Sequence, residues 1–424
     1  MKMKDSGVEW IGEIPEGWEV VATKRKFKNS KEIVGNRVSE YERLSLTLNG
    51  VLKRQIDDDK GLQPENFSTY QVIYKDELVF KLIDLENVKT SRVGYSPYTG
   101  IISPVYIRLS NKNESRFGYY YFINMWHQEV FNYLGSGVRS NLNANDLLNI
   151  PYLSIPQKEQ QKIADFLDSK IALIDQIIAD TKRSIEELKS YKQSLITETV
   201  TKGLDPNVPM KDSGVEWIGK IPEGWENMPL RYLGQLQNGI SKGGDFFGSG
   251  YPFVNYGDVY KNDIVEASGL IQSTATEQEN YSVKRGDVFF TRTSETIDEV
   301  GISSVALEDI GNATFAGFLI RFRPSTNKLL PEYSKYYFTS FNVRQHFTGM
   351  MNMVIRASLG QELLKSLPVF IPTKTEQKRI VNFLDEKLKN IQEQIQYKIN
   401  IISEYESYKK SLIYEYVTGK KQVK

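Results

Sequence analysis

Residues 156–196 read PQKEQQKIADFLDSKIALIDQIIADTKRSIEELKSYKQSLI, and residues 372–413 return as PTKTEQKRIVNFLDEKLKNIQEQIQYKINIISEYESYKKSLI. In the first copy Ala164, Ile171, Ile178, Ile185 and Lys192 recur every seven residues, interleaved with Leu167, Ile174, Thr181, Leu188 and Leu195. That is a coiled-coil seam. The second copy keeps it with Val381, Leu388, Ile395, Ile402 and Lys409 on one row and Leu384, Ile391, Lys398, Tyr405 and Leu412 on the other. At ~1.5 Å per residue each helix is roughly 60 Å long, and so narrow an apolar stripe needs a partner. The sequence points to antiparallel pairing of the two copies, with the polar Thr181 and Lys398 near the middle setting register.

Working outward, Met3–Glu19 (MKDSGVEWIGEIPEGWE) reappears as Met210–Glu226 (MKDSGVEWIGKIPEGWE), differing only at Glu13 against Lys220. The whole plan of signature, domain and helix is therefore duplicated. Pro-Glu-Gly is a turn, and Trp10, Ile11 and Trp18, with Trp217, Ile218 and Trp225, are apolar anchors to a neighbouring surface. Between signature and helix the patterns are short and β-leaning, broken by turn sequences, then helical in RFGYYYFINMWHQEVFNYL and EYSKYYFTSFNVRQHF. The predicted fold is α+β: two similar domains of mainly antiparallel β-sheet with helices, separated by the antiparallel coiled coil and related by a pseudo-two-fold. The expected boundaries are 1–155, 156–202, 203–371 and 372–424. Thr373 with Glu376 three residues on fits a capping box at the second helix. In contrast to the framework, FKNSKEIVGNRVSEYERLSLTLNGVLKR has no clear counterpart in LGQLQNGISKGGDFFGSGYPFVNYGDV.

Composition narrows the chemistry. There are no cysteines and two histidines, His127 and His346, which argues against thiolate metal sites, a histidine zinc site and a catalytic triad. The 54 basic and 53 acidic residues nearly balance, so any polyanion site must come from local clustering. No apolar run reaches membrane-span length and MKMKDSGVEW lacks a signal-peptide core, which points to the cytoplasm and no membrane partner. An adenine methyltransferase would need an Asn/Asp-Pro-Pro-aromatic motif, and neither this nor a Walker A motif is present. The triplets Glu376-Gln-Lys378 and Asp385-Glu-Lys387, suggestive of a nuclease, sit on a solvated helix face.

The duplicated signature, the Ile-Pro…Glu-Gln…Ile entries to both helices, the Ser-x-Gly-x-Arg segment of Ser136–Arg139 and GDVFFTRT (286–293) together resemble the specificity subunit of type I restriction-modification systems. The resemblance spans essentially the whole chain. It implies a target-recognition domain for each half of a bipartite double-stranded DNA target, and helices that serve as spacer and as platform for two modification (methyltransferase) subunits, with restriction (endonuclease/translocase) subunits completing the complex. It implies no catalysis and no cofactor in this subunit, with S-adenosylmethionine, ATP and Mg2+ used by the partners. Phosphate and base-edge contacts call for Arg, Lys, Asn, Ser and Thr. The candidates are Lys81, Arg92, Arg139, Ser140 and Asn141 in the first domain, and Ser241, Lys242, Arg292, Thr293, Arg356 and Ser358 in the second. The second domain lacks the Ser-x-Gly of the first, having Met351–Arg356 there. The rival reading is a non-enzymatic coiled-coil scaffold whose duplicated domains bind protein or carbohydrate.

Overall fold

A computed structural model describes residues 2–54, 66–85, 91–111, 113–135, 140–294, 296, 299–350 and 357–423. The chain divides into two compact units, one of residues 1–182 and 399–424 and the other of residues 183–398. Each therefore takes half of the helix Gln157–Lys202 and half of the helix Lys374–Val417. Domain boundaries read from sequence at 155 and 371 mark where these helices begin, whereas the compact units divide inside them.

Within the first unit, Asp175 pairs with Lys409 at 2.6 Å and the Phe166 ring lies 4.4 Å from that of Tyr416. As one number falls the other rises, so the two helix halves run antiparallel. Ile163, Leu167, Ile171, Ile174 and Ile178 share one core with Leu412, Ile413 and Val417. In the second unit, Ile196 and Val200 share a core with Ile380, Val381 and Leu384. The heptad rows are thus the buried faces, each large apolar side chain contributing ~1.5–3 kcal/mol. The Thr181 hydroxyl donates to Ile177 O of its own helix at 2.7 Å.

The signatures explain themselves as identical devices. Met3–Asp5 pairs with Glu13–Pro15, and Met210–Asp212 with Lys220–Pro222. In both turns the amide after the serine donates to the aspartate side chain, Gly7 to Asp5 at 3.0 Å and Gly214 to Asp212 at 2.9 Å, with the glycines at φ +69° and +73°. Trp18 donates its indole N–H to Glu159 Oε2, and Trp225 donates to Glu376 Oε2, each at 3.1 Å. The two glutamates stand in the first turns of the long helices, where carboxylates also suit the helix dipole. Next to them, the Gln160 and Gln377 amides donate to Ile155 O and Pro372 O at 3.0 and 2.9 Å. Thr373 Oγ1 accepts from Glu376 N at 3.3 Å, so half of the expected capping box forms, while the glutamate carboxylate turns to Trp225. Asp168 and Asp385 take the hydroxyls of Tyr120 and Tyr336. The carboxylates Glu376 and Asp385 of the nuclease-like triplets are therefore structural acceptors.

The sheets repeat as well. In the first unit the strands Lys28–Asn29, Ile107–Ser110, Leu78–Phe80 and Val93–Tyr95 lie antiparallel in that order. In the second unit Gly234–Asn238, Leu319–Pro324, Val288–Thr291 and Ser303–Val305 take the same order and sense. The stretches without sequence likeness prove topologically related. Arg43–Thr47 pairs antiparallel with Gly50–Arg54 and parallel with Gly100–Ile102, and Phe247–Val254 pairs antiparallel with Gly269–Ile271 and parallel with Thr314–Phe315. The difference lies in the connection. Thr47 faces Gly50 across a two-residue turn, whereas the chain from Val254 to Gly269 carries the helix Tyr256–Tyr260.

His127 ends the helix Ser115–His127, and its Nδ1 is buried with no hydrogen-bond partner among the described residues. Burial, and then Lys410 and Lys409, push its pKa down to about 4. The neutral ring stabilises the fold above the unfolded pKa of about 6.5, and this contribution is lost as pH falls from there through about 4. Wild type is expected to lose up to about 3 kcal/mol more than His127→Asn over that window, measured by urea unfolding at stepped pH. Parallel pH profiles would refute it.

Candidate nucleic-acid interface

In the first unit the strand Leu78–Phe80 runs on into Lys81–Leu85, and Ser140–Leu142 lies alongside. Leu142 N donates to Leu82 O at 2.9 Å, Asp84 N to Asn141 Oδ1 at 2.8 Å, and Leu85 N to Ser140 O at 3.2 Å. Leu82, Leu85 and Leu142 are buried in the core, so apolar anchors hold both segments while polar neighbours remain at the surface. Ser140 stands at φ +45°, a conformation non-glycine residues adopt rarely.

The second unit builds the same bridge. Val288–Thr291 runs into Arg292–Ser294, Thr293 pairs with Ser358, and Leu359 N donates to Arg292 O at 2.7 Å. Leu359 is fully buried and takes the place of Leu142. On the far side Arg292 N donates to Phe318 O at 2.9 Å, and Ile240 bridges to Ala316. Gly317 lies so close to Ser241 that a Cβ there would sit 2.3 Å from its Oγ. Ser241, the 316–318 turn, Arg292, Thr293 and Ser358 thus form one continuous surface. No side-chain hydrogen bond or ion pair to the Arg292 guanidinium is found among the described residues.

Two candidates are engaged within the fold. Arg92 is 2% exposed, and its guanidinium donates to Ile83 O at 3.0 Å and Asp84 O at 2.7 Å. Burial holds its pKa below the usual arginine range. Its donors face inward onto the 81–84 segment, so it shapes the loop and cannot present them to a base without breaking it. Lys242 Nζ donates to Glu277 Oε2 and Gln272 O, both at 2.7 Å, with Phe246 beneath it at 5.2 Å. This ion pair is the largest cause of a depressed Glu277 pKa. The lysine fastens the glycine-rich loop. Lys81 is half-buried, and burial and then Arg92 hold its amine below the ordinary lysine range. Asn141 and Ser358 are exposed and Ser241 is exposed. Arg139 and Arg356 lie outside the described residues, as does Ser136.

Sequence reasoning missed Phe318, 64% exposed beside Arg292. Its neighbours Phe315 and Leu319 are fully buried, and an apolar run in a strand pattern does not reveal which member turns outward. Glu299 was missed too. Its backbone carbonyl accepts from the Thr291 hydroxyl at 2.6 Å and from Tyr256 OH at 3.2 Å, and its carboxylate accepts from Ser294. Among the described residues no group of three or more His, Cys, Asp or Glu is placed to hold a metal ion, and no helix is long and apolar enough to cross a membrane.

Residues 15–187 and 222–401 match the family model of the type I restriction modification DNA specificity domain. The specificity subunit of the type I restriction enzyme EcoKI of Escherichia coli (strain K12) is 28% identical over 262 residues, covering 57% of this chain and 51% of that protein. The chain thus spans about half of that relative's length. The MjaVIII specificity subunit of Methanocaldococcus jannaschii is 24% identical over 398 residues, 90% of this chain and 88% of its own. Among solved structures, a chain from work on complex assembly and conformational transition of the type I R-M system superposes with a TM-score of 0.70 at 14% identity, covering 95% of this chain and 98% of that one. The HsdS subunit from Thermoanaerobacter tengcongensis gives 0.52 at 15%, covering 96% and 98%. These structural likenesses are of fold.

Proposed function

The chain belongs to the type I restriction modification DNA specificity family, and on that premise we propose that it reads a bipartite DNA target, one unit to each half-site, for a type I restriction-modification complex. The observation that carries this reading is the repeated bridge. The same two segments meet in both units through the same backbone bonds, Leu142 to Leu82 and Leu359 to Arg292, but they display different polar side chains. A frame held constant with its contact residues varied suits two different half-sites. It suits a scaffold for two identical partners less well.

In this reading Lys81, Ser140 and Asn141 face one half-site, and Ser241, Arg292, Thr293 and Ser358 face the other, with Arg139 and Arg356 joining them from the sequence. Arg92 and Lys242 position the loops. The chain performs no chemistry. Methyl transfer, with S-adenosylmethionine, and cleavage, with ATP and Mg2+, belong to the modification and restriction subunits it brings to the site. The repeated elements, meaning the signature hairpins and the long helices, are the surfaces two copies of one partner would share.

Arg292→Ala is expected to weaken discrimination in one half-site by about 1–3 kcal/mol and to leave the other unchanged. Binding of the purified chain to duplexes randomised in one half at a time, across a salt series, tests both this and the reading. Equal weakening on all duplexes would reduce Arg292 to a phosphate contact. The absence of salt-sensitive, sequence-specific duplex binding by wild type would overturn the function itself.

A further inference from the structure

The second unit carries an apolar feature that its fold leaves exposed. Phe246, Phe247 and Tyr251 are 46%, 43% and 43% exposed, and Leu270 beside them is also exposed. They surround a bulge: Phe247 and Tyr251 both register against Ile271, so Gly248–Gly250 are extruded between two pairings of one partner residue. Gly248 and Gly250 sit at φ +91° and +105°, and a Cβ on Gly250 would meet Ile271 O at 2.5 Å. The bulge is pinned at its base. Gln272 N donates to Phe246 O at 2.9 Å, Phe246 N donates to Gly243 O at 3.2 Å, and the Lys242–Glu277 pair closes the loop. Inside it, Phe247 packs edge-on against the buried Phe253 at 5.5 Å.

Resting on the proposed function, we infer that the Phe246–Tyr251 bulge is a wedge that stacks on or between bases at the half-site read by the second unit. Two observations choose DNA over protein. The bulge is continuous along the chain with the candidate interface, through Lys242 and Ser241 to the 316–318 turn and Arg292. It also has no repeat: the equivalent strands of the first unit pair in unbroken register from Arg43 opposite Arg54 to Thr47 opposite Gly50, with no residue extruded between them. Two copies of one protein partner require the same surface twice, whereas the ligand that differs between the units is the half-site. The chemistry agrees, because Lys242 is neutralised by Glu277 and Asp245 adds a negative charge, so the bulge offers phosphates little attraction and bases an apolar ring face. A rigid aromatic projection is the form in which proteins part base steps, and glycines that permit its backbone path explain the GSG between the rings.

The experiment uses the full chain with duplexes carrying 2-aminopurine at successive positions of the half-site mapped by Arg292→Ala. Wild type is expected to raise the fluorescence at one step. The variant Phe246→Ala/Phe247→Ala/Tyr251→Ala is expected to lose that rise and to bind about tenfold more weakly, with discrimination in the other half-site intact and its melting temperature serving as the control for folding. Phe247→Leu/Tyr251→Phe, which keeps the bulk, tests the contact without truncation and is expected to retain most of both. Unchanged binding and fluorescence in the triple variant would overturn the wedge while leaving the DNA function standing. So would a triple variant that binds DNA normally but no longer assembles with a methyltransferase subunit, since the bulge would then be a protein-docking surface. If wild type binds no duplex specifically, the proposed function fails first and the wedge with it.

Discussion

Seven residues inserted into both long helices, between Lys182 and Arg183 and between Lys398 and Ile399, are expected to lengthen the preferred spacer between half-sites by about three base pairs and to leave the bases of each half unchanged. The chain passes between its two units only at these points, both inside continuous helix. One heptad preserves the a/d rows to within ~20°, and at ~1.5 Å per residue it adds about 10 Å, against ~3.4 Å per base pair. Contacts that build each unit, such as Asp175 with Lys409 or Trp225 with Glu376, lie wholly on one side of the insertions. Three base pairs also rotate the second half-site by roughly 100°, so duplexes spanning a full turn of spacer lengths are offered to the variant. A variant that still prefers the original spacer, or one that reads new bases at that spacing, would sink the idea that the helices set the spacing. Inserting in one helix only shifts its apolar rows against the other and is expected to abolish binding.

The heptads were legible because burial on a helix repeats at fixed spacing, and Ile171, Ile174 and Ile178 answer that spacing directly. The signatures were legible as repeats, and the structure adds the reason: Trp18 and Trp225 must each meet a glutamate 141 and 151 residues away. What sequence could not show is which polar groups are spoken for. Arg92 and Arg292 occupy similar β-rich surroundings in the sequence, yet one is turned inward onto backbone carbonyls, and the other stands between two short strands with no side-chain hydrogen bond or ion pair to its guanidinium among the described residues. Lys242 is a candidate for DNA contact by residue type alone, but its partner Glu277 is 35 residues on. Long-range pairing of charges has no period. The strand correspondence between Arg43–Arg54 and Phe247–Ile271 was hidden for a related reason, since backbone pairing survives when side chains and connection length have both changed.

The largest effect on stability is expected from Arg108→Met. Arg108 Nε and Nη2 reach the two oxygens of Glu77 at 2.6 and 2.8 Å, with both side chains buried, and Nη1 donates to Val72 O at 3.0 Å. Arg108 belongs to one sheet of the first unit and Val72 to the other, so the guanidinium ties the two together. Removing it strands a carboxylate that still accepts from Tyr74 N at 2.8 Å but has lost its counter-charge, and breaking a buried pair on one side costs about 3–5 kcal/mol. Arg108→Met/Glu77→Met removes both charges and is expected to recover much of that loss. The second unit supplies the contrast. By register Arg321 stands opposite Phe289 as Arg108 stands opposite Val79, and Asp287 precedes its strand as Glu77 does. There, however, the carboxylate pairs with Arg323 at 2.5 Å, while Arg321 donates to Ser282 O and Gln237 and is pushed down to about 10, chiefly by burial. Arg321→Met leaves no carboxylate unpaired and is expected to cost only about 1–3 kcal/mol. Hydrogen exchange resolved by segment, together with half-site binding, measures both. Arg108→Met should loosen strands of the first unit and erode discrimination in its half-site alone. Equal costs for the two substitutions would show that the acid, present in both units, is not what makes the first arginine indispensable.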